Sequence, residues 1–448
     1  MGDRPLLGKR GRTGRRRRDP ARRRGPPPRP RGPPAAGAGV AQGSGRGARR
    51  REAVRGPMAV RLTEAPPIQE DLHACTMCGY CVPVCPPYRE LGFESAAPRG
   101  KVYLMREFDK RGLGILDWLL GRKTAPDAEF SKAVFECTAC GACENVCMAD
   151  IPFDGLWQEV KEWMVNSGLG MPEHTSVFEN VSETHNIYGE PHQARGGWVP
   201  KDAVQDPAPE VVYWVGCAAS YRKRRVAESV VKILNAARVK YRILGTDEWC
   251  SGAPLANMGY GSYVKKELMP RNIQAVAQTG AKVLVTACSE DVRAFLVDYR
   301  HWGGNPPFSV LHITQYVERL VSEKRLTFTK PLQGLKAAFH DSCAQGRVTG
   351  MYDAPRNAMK FLKGLVPLEM FPNKAEAHCS GAGAGFPLVF PNQANSIGSK
   401  RLQNALELGA SAVITTCPHA AMHFEQVAAR QNMPLQTLDI AEVLAQAL

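Results

Sequence analysis

Long apolar runs are missing from this sequence of 448 residues. A membrane-spanning helix needs about 18 or more consecutive apolar residues, and no such run occurs. A secretory signal needs an apolar core of about 7–15 residues behind its positive charges, and the basic N-terminal stretch has none. This also excludes a twin-arginine export signal at Arg15–Arg18. We therefore expect the protein in the cytoplasm, either free or peripherally bound to the cytoplasmic face of a membrane.

Net charge is absent from most of the chain, although the formal total is +15. Residues 1–57 hold 18 Lys and Arg against 3 Asp and Glu, which leaves 40 of each kind for the remainder. An Arg/Gly/Pro-rich segment without large apolar residues buries too little surface to offset its ordering entropy, so a disordered tail is predicted. A nucleic-acid-binding arm is one interpretation of this tail. We favour a translation start at Met58 and expect no nucleic-acid partner.

Nucleotide-binding and hydrolase motifs are also missing. No Walker-type G-x4-G-K-[ST] occurs, and the glycine-rich run at 381–386 fails the dinucleotide pattern G-x-G-x-x-G at Phe386. Nothing resembles a flavin site, and no catalytic residue is assigned from the sequence. What the chain does have is 14 cysteines. In a cytoplasmic protein, clustered cysteines indicate metal binding rather than disulfides.

Two cysteine motifs repeat one spacing. Residues 75–85 read C-x2-C-x2-C-x3-C followed by Pro86, and residues 137–147 repeat this spacing followed by Met148. Three thiolates two residues apart reach different irons of one [4Fe–4S] cube, while the fourth points to the other cluster. Zinc is the alternative, but zinc sites use four ligands, usually in two C-x2-C pairs. The expected ligands are Cys75, Cys78, Cys81 and Cys147 for the first cluster, and Cys137, Cys140, Cys143 and Cys85 for the second.

The insert between the two motifs is predicted to be mainly helical. Its apolar pattern favours helices at 101–108, 114–120 and 130–135. The middle stretch, G-I-L-D-W-L-L, could contact a membrane or a partner, but its seven residues are too short to indicate more than a buried helix face. The length of the insert resembles the α-helical ferredoxin domain found beside flavoprotein dehydrogenases.

The other six cysteines lie in an internal repeat. Its matched pairs are Cys217 and Cys343, Cys250 and Cys379, and Cys288 and Cys417. Each copy is predicted as strand, helix, strand, helix, strand, which is a parallel α/β unit with an amphipathic helix such as 226–237. Two cysteines per copy close predicted strands, and such sheets assemble their sites at the carboxyl ends of strands. The three cysteines of each copy are therefore expected to converge.

These patterns predict a multidomain α+β fold. An α-helical ferredoxin domain is followed by two repeated α/β cysteine-rich domains. The expected bounds are a basic tail at 1–57, the ferredoxin domain at 58–190, a linker at 191–209, and the repeats at 210–330 and 331–448.

A ferredoxin pair followed by two cysteine-rich domains resembles the iron–sulfur subunit of glycolate oxidase and the related heterodisulfide reductase subunits. The stretches that carry the resemblance are P-R-G-K-V-Y-L at 98–104, H-D-S-C at 340–343, C-S-G-A-G at 379–383 and T-C-P at 416–418. The resemblance implies an electron-transfer subunit of a flavin-dependent dehydrogenase for a 2-hydroxy acid such as glycolate or lactate. Electrons would pass from an FAD-containing partner subunit through two [4Fe–4S] clusters to quinone or a membrane-anchored acceptor.

The repeats depart from the family's complete motif. Ser251 and Ser380 replace the second residue of its Cys-Cys pair, and Asp291 and Ala420 replace the last residue of its C-x-x-C. Each copy could hold a further cluster with a non-cysteine ligand, could offer an open iron site to a substrate, or could keep its cysteines as buried remnants. Retention at matched positions favours a metal site in at least one copy. Its candidate ligands are Cys217, Cys250, Cys288 and Asp291 in the first copy, and Cys343, Cys379 and Cys417 with His378 or His419 in the second.

Two other functions are compatible with these motifs. The first is that of a heterodisulfide reductase-like protein that reduces a disulfide at a repeat-domain cluster. The second is an electron relay in which the repeats are a non-catalytic scaffold for partners.

Overall fold

The computed structural model describes residues 66–111 and 126–448. The predicted tail at 1–57 and the predicted helix at 114–120 lie outside these residues. Over the described ranges, no helix is both long enough and apolar enough to cross a membrane.

The ferredoxin domain is helical around its two cysteine loops. Pro86 and Pro172 stand in the first turns of their helices, where the missing N–H has no helical partner to lose. Asp127 accepts a hydrogen bond from Phe130 N at 2.8 Å and caps the fourth helix. The helices predicted at 101–108 and 130–135 lie inside longer helices. The α-helices are Gln69–Ala74, Pro86–Leu91, Pro98–Arg111, Ala128–Phe135, Ala142–Asn145, Phe153–Asn166 and Pro172–Thr184.

The first repeat is a four-stranded parallel sheet with helices between its strands. The strands are β1 (Val211–Tyr213), β2 (Tyr241–Ile243), β3 (Val283–Thr286) and β4 (Ser309–His312), in the order β2-β1-β3-β4. The helical segments are Cys217–Tyr221, Arg224–Ala236, Ala253–Asn257, Gly261–Tyr263, Val264–Leu268, Met269–Ala277, Ser289–Arg293, Ala294–Asp298, Tyr299–His301 and Ile313–Ser322. The predicted parallel α/β organisation is confirmed.

The second repeat has the same topology. Its strands are β5 (Leu335–His340), β6 (Leu365–Glu369), β7 (Ala412–Thr415) and β8 (Gln436–Asp439), in the order β6-β5-β7-β8. Its helical segments are Ala344–Val348, Asp353–Lys360, Phe386–Val389, Pro391–Glu407, Pro418–Arg430 and Ile440–Gln446. In both sheets the strand order reverses between the two central strands, which is where parallel sheets place their sites.

Each sheet has one strand more than the sequence pattern predicts. The additional strands are β4 and β8, each four residues long. Their last residues, His312 and Asp439, cap the helices that follow at once. Because no turn residue separates strand from helix, the strand pattern merges into the helical one.

The cores are shared between the sequence segments. One hydrophobic core joins Val230 and Leu234 of the first repeat to Val443 and Leu444 of the second. A second core joins helices of the ferredoxin domain to the helix Pro391–Glu407 of the second repeat. This packing holds the cysteine loops of the ferredoxin domain against the second repeat.

Candidate iron–sulfur centres

The first set of four thiols surrounds one cavity. Cys75, Cys78, Cys81 and Cys147 all line a cavity with about 330 Å³ of empty space. The first three lie on the loop after the helix Gln69–Ala74, whereas Cys147 comes from the second motif. Cys78 is exposed and Cys81 is buried. The fold therefore brings together the four cysteines that the spacing groups crosswise.

The second set surrounds a neighbouring cavity. Cys85, Cys137, Cys140 and Cys143 line about 520 Å³ of empty space. The two sets adjoin, because Cys81, Cys85 and Cys143 belong to one small apolar cluster. Across residues 66–111 and 126–448, no three His, Cys, Asp or Glu side chains converge closely enough to hold a single metal ion.

The two cysteine loops share one backbone conformation. Met77 and Gly79 have positive φ values of 58° and 84°, and the corresponding Ala139 and Gly141 have values of 47° and 69°. Residues in the left-handed region turn successive N–H groups towards one concave side, and such nests bind anions, including many iron–sulfur centres. The matched conformations fit a negatively charged cluster in each loop.

Two buried lysines line the second cavity. Lys101 is 2% exposed and donates to Glu136 O at 2.8 Å, while Lys161 is 1% exposed and donates to Asn257 O at 3.0 Å. A buried cation is costly unless an anion is near. Four thiolates around a cluster supply that negative charge, so the donor set and its surroundings fit a [4Fe–4S] group.

The second set touches the second repeat directly. Cys379 and Cys140 pack in one hydrophobic core, and Cys343 packs against the same core. Arg347 donates from Nε to Cys140 O at 2.6 Å and from Nη2 to Cys343 Sγ at 2.8 Å. The interaction with the Cys379 side chain, together with the positive charge of Arg347, lowers the pKa of the Cys140 thiol. Both effects favour the thiolate, which is the form that binds iron.

The glycine-rich run at 381–386 makes this approach possible. A Cβ added to Gly383 would lie 2.5 Å from the carbonyl oxygen of Thr138, which is closer than real Cβ atoms come. The loop after Cys379 therefore lies against the cysteine loop of the second set. The absence of a side chain at this position serves loop contact rather than nucleotide binding.

The three cysteines of the second repeat line one cavity. Cys343 follows β5 and Cys417 follows β7, which are adjacent strands at the reversal of strand order. Together with Cys379 they line about 1810 Å³ of empty space, counting the open mouth. Of the two candidate histidine ligands, His419 lines this cavity and His378 lines another.

The first repeat places an acid among its cysteines. Cys217 and Cys250 pack in one hydrophobic core, and Asp291 and Cys288 are both buried. Burial raises the pKa of Asp291 to about 7. Its Oδ2 is buried and finds no hydrogen-bond partner among the residues that the structure describes. A buried polar atom without a partner needs an explanation, but the described residues do not bring three metal-ligating side chains together here to hold a single metal ion.

The repeats also meet each other through their third cysteines. Cys288 and Cys417 are hydrogen-bonded across the interface. Ser289 Oγ donates to Thr416 O at 2.6 Å. His312 Nε2 lies 3.1 Å from both Ala287 O and Thr416 O. The sequence predicted contacts among the three cysteines within each repeat. It did not predict this contact between the two repeats.

Two arginines next to thiols were also missed. Arg195 lies in the predicted linker, where it is 2% exposed and forms a 2.6 Å ion pair with Glu248. It also donates to Cys217 Sγ at 3.3 Å. Arg347 follows Cys343 by four residues, and this short spacing is a signal that could have identified it. Arg195 precedes Cys217 by 22 residues and gives no local signal.

Comparison with known proteins identifies both parts of the chain. Residues 71–151 match the 4Fe-4S dicluster domain, and residues 211–290 and 337–425 match the cysteine-rich domain. One subunit of the dihydromethanophenazine:CoB–CoM heterodisulfide reductase of Methanosarcina barkeri is 32% identical over 386 residues, covering 84% of this chain and 94% of that protein. EtfAB:quinone oxidoreductase of Syntrophomonas wolfei is 28% identical over 421 residues, covering 84% of this chain and 58% of that protein.

Among solved structures, a hypothetical protein from Helicobacter pylori superposes with a TM-score of 0.48 at 13% identity, over 74% of this chain and 66% of that one. The domain matches and the relatives confirm iron–sulfur clusters as cofactors and electron transfer within an oxidoreductase system as the general function. The predicted relation to heterodisulfide reductase subunits is confirmed, while the specific likeness to glycolate oxidase stays a prediction. The chain belongs to the family of heterodisulfide reductase subunits that the Methanosarcina protein represents.

Proposed function

We propose that this chain passes electrons from a flavin-containing dehydrogenase subunit to a quinone or a membrane-anchored acceptor. In this proposal the first [4Fe–4S] cluster is held by Cys75, Cys78, Cys81 and Cys147, and the second by Cys85, Cys137, Cys140 and Cys143. The partner would oxidise a 2-hydroxy acid such as glycolate or lactate. This substrate class rests on the resemblance, and the cytoplasmic location is part of the same proposal.

One observation carries the proposal, namely a continuous line of thiols through the fold. It starts at the exposed Cys78 and crosses from the first set to the second where Cys81 and Cys143 share an apolar cluster. It reaches the second repeat where Cys140 and Cys379 pack in one hydrophobic core. Such continuity is what electron transfer needs, since each centre must lie close to the next.

Charged residues of this chain affect the reduction potentials along the line of thiols. A [4Fe–4S] cluster supplies one-electron chemistry at a potential set by nearby charge, hydrogen bonds to sulfur and solvent exposure. Lys101, Lys161 and Arg347 place three cations beside the second set. Positive charge stabilises the more negative reduced state, so these residues should raise the reduction potential of the second cluster.

The exposed end of the line offers a surface for a partner. Large apolar side chains there are solvent-accessible, at 60% for Tyr80, 70% for Phe93 and 75% for Met148. Tyr80 lines the first thiol cavity, so a partner bound here would lie beside the first cluster. A quinone in the name of the Syntrophomonas relative supports a quinone as the acceptor.

The first test is an anaerobic count of iron and acid-labile sulfide per chain, followed by oxidation of the reduced protein with menadione in a stopped-flow instrument. About eight irons are expected for two cubanes. Cys379→Ala should slow oxidation if the repeats carry electrons onward. Ser380→Ala, a change at the next residue, is the matched control. Fewer than about four irons, or zinc in their place, would refute the proposal.

A second candidate function is reduction of a disulfide at the second repeat. The observation in its favour is that Cys343, Cys379 and Cys417 line an open cavity. Two electrons from the clusters and two protons from water would convert one disulfide into two thiols. Ser380 and Ala420 stand in place of two family cysteines and count against it. Reduction of a small mixed disulfide by the pre-reduced protein would support this candidate, whereas reduction of menadione alone would favour electron relay.

The scaffold alternative gives a different result. If the repeat cysteines bind nothing and carry no electrons, Cys250→Ala and Cys379→Ala should leave both the iron content and the rate of menadione reduction unchanged.

A further inference from the structure

A second large cavity lies on the far side of the Cys140–Cys379 contact. Its walls come from the helix Pro86–Leu91, the helix Pro391–Glu407 and the loop at 371–379. It encloses about 1520 Å³ of empty space, counting its mouth. Neither proposed cluster occupies it, because the first and second sets of cysteines surround two other cavities.

Arg401 projects from the long helix into the wall of this cavity and is 1% exposed. Its Nε lies 3.4 Å from His340 Nδ1. Neither Nη1 nor Nη2 has a hydrogen-bond partner among the described residues. Burying a guanidinium costs free energy when two of its nitrogens lack hydrogen-bond partners, unless an anion binds to those nitrogens.

The acids near Arg401 are already engaged. Asp341 and Glu369 both receive two hydrogen bonds from Arg356, at 2.6–2.9 Å. Glu90 accepts from Lys400 Nζ at 2.7 Å and from Ser396 Oγ at 2.6 Å. Among the described residues none of these carboxylates is hydrogen-bonded to Nη1 or Nη2 of Arg401, although Asp341 and Glu369 together carry two negative charges against the single positive charge of Arg356.

Two further arginines line the same cavity. Arg89 is exposed and donates from Nε to the carbonyl oxygen of Pro83 at 2.6 Å. Arg347 already donates hydrogen bonds to Cys343 Sγ and to three carbonyl oxygens. One exposed carboxylate, Glu376, also lines the cavity. Among the side chains that line the cavity, four cations thus face two carboxylates, because Lys400 and Glu90 also line it.

Part of the remaining wall is apolar, beside the polar side chains of Asn145, His378 and Asn404. Val84, Val146 and Ile397 line it, and Phe371 stands at the cavity with 83% of its surface exposed. A bare inorganic ion would use the guanidinium and leave these side chains without contacts. The combination suits a carboxylate, or a similar oxyanion, carried on an apolar body.

We propose that this cavity binds a small organic anion, with its anionic group on Arg401 and its apolar part against Phe371 and Ile397. The ligand would lie next to Cys140 and Cys379, which also line the cavity. This site is separate from the thiol-lined cavity of the second repeat. It is independent of the electron-transfer proposal, because binding can be measured without turnover.

The test uses acetate and hexanoate with the full chain, loaded with iron and kept without oxygen. The two probes share a carboxylate and differ in apolar length. Isothermal titration calorimetry should show hexanoate binding at least about tenfold more tightly than acetate. Arg401→Met should weaken hexanoate binding by about 10- to 100-fold. Lys400→Met, on the same helix and the same wall, removes a charge that Glu90 already neutralises and should change binding by no more than about threefold.

Thermal unfolding separates a ligand role from a structural one. Without ligand, Arg401→Met should melt within a few degrees of the wild type, because the change removes two buried nitrogens without partners and only one long hydrogen bond, the 3.4 Å bond to His340. With hexanoate, only the wild type and Lys400→Met should gain stability. The proposal is overturned if hexanoate fails to bind, if it binds no better than acetate, if Lys400→Met loses as much affinity as Arg401→Met, or if Arg401→Met melts several degrees lower in the absence of ligand.

Discussion

Replacing Arg195 by methionine should strongly destabilise the first repeat. The guanidinium forms a 2.6 Å ion pair with Glu248, and the two side chains are only 2% and 1% exposed. Methionine fills a similar space but leaves Glu248 with two backbone N–H groups, those of Val215 and Gly216, as its remaining partners. Breaking one side of a buried pair costs about 3–5 kcal/mol. The loss should appear in urea unfolding followed by the fluorescence of the buried Trp214.

Arg319→Met is the matched control for this change. Arg319 pairs with Glu323 at 2.7 Å, which is nearly the same distance, but the side chains are 53% and 36% exposed. A surface pair contributes only about 0–1 kcal/mol. The double change Arg195→Met with Glu248→Gln should recover part of the loss, because no uncompensated charge is then buried. If Arg195→Met costs as little as Arg319→Met, the argument from burial is wrong.

Three further predictions concern the centres. Cys85→Ala and Cys147→Ala should each disturb a different cluster, seen as loss of different electron paramagnetic resonance signals and as about four fewer irons each; loss of the same signal from both would contradict the crosswise assignment. Asp291→Asn should stabilise the iron-free protein by an amount that grows as the pH rises from 3.8 to about 7. Burial raises the pKa of Asp291 over that window, so the wild type loses stability across it. A difference in stability that does not change with pH would show that the pKa of Asp291 is not raised. Gly383→Val should push the loop away from Thr138 and slow menadione reduction without loss of iron, and an unchanged rate would count against electron flow between Cys140 and Cys379.

Much of the site could be predicted from local spacing. Three cysteines two residues apart leave few choices of geometry, so the eight ferredoxin-type cysteines and their crosswise grouping follow from the sequence. The strand ends at Cys217, Cys288, Cys343 and Cys417 were predictable too, because a short β-branched run before a helix predicts the carboxyl end of a parallel strand. The family relation rests on the same motifs.

Other features were not predictable because they arise between residues distant in the chain. The strands β4 and β8 carry no boundary signal, since each ends in the cap of the next helix. Arg195 reaches Cys217 only because the segment at 191–209 packs against the first sheet. Lys101 and Lys161 give no pattern that indicates a cluster, and their role became visible when both were found buried at one cavity.

The sequence alone determined which side chains can bind iron, because thiol spacing is a property of neighbouring residues. The tertiary structure decided which other residues those thiols contact. Contacts such as Cys140 with Cys379 and Cys288 with Cys417 form between separate domains and separate copies, and no local periodicity records them. The two Nη atoms of Arg401, which lack hydrogen-bond partners among the described residues, are of the same kind, since only packing reveals that the nearby acids already accept hydrogen bonds from other residues.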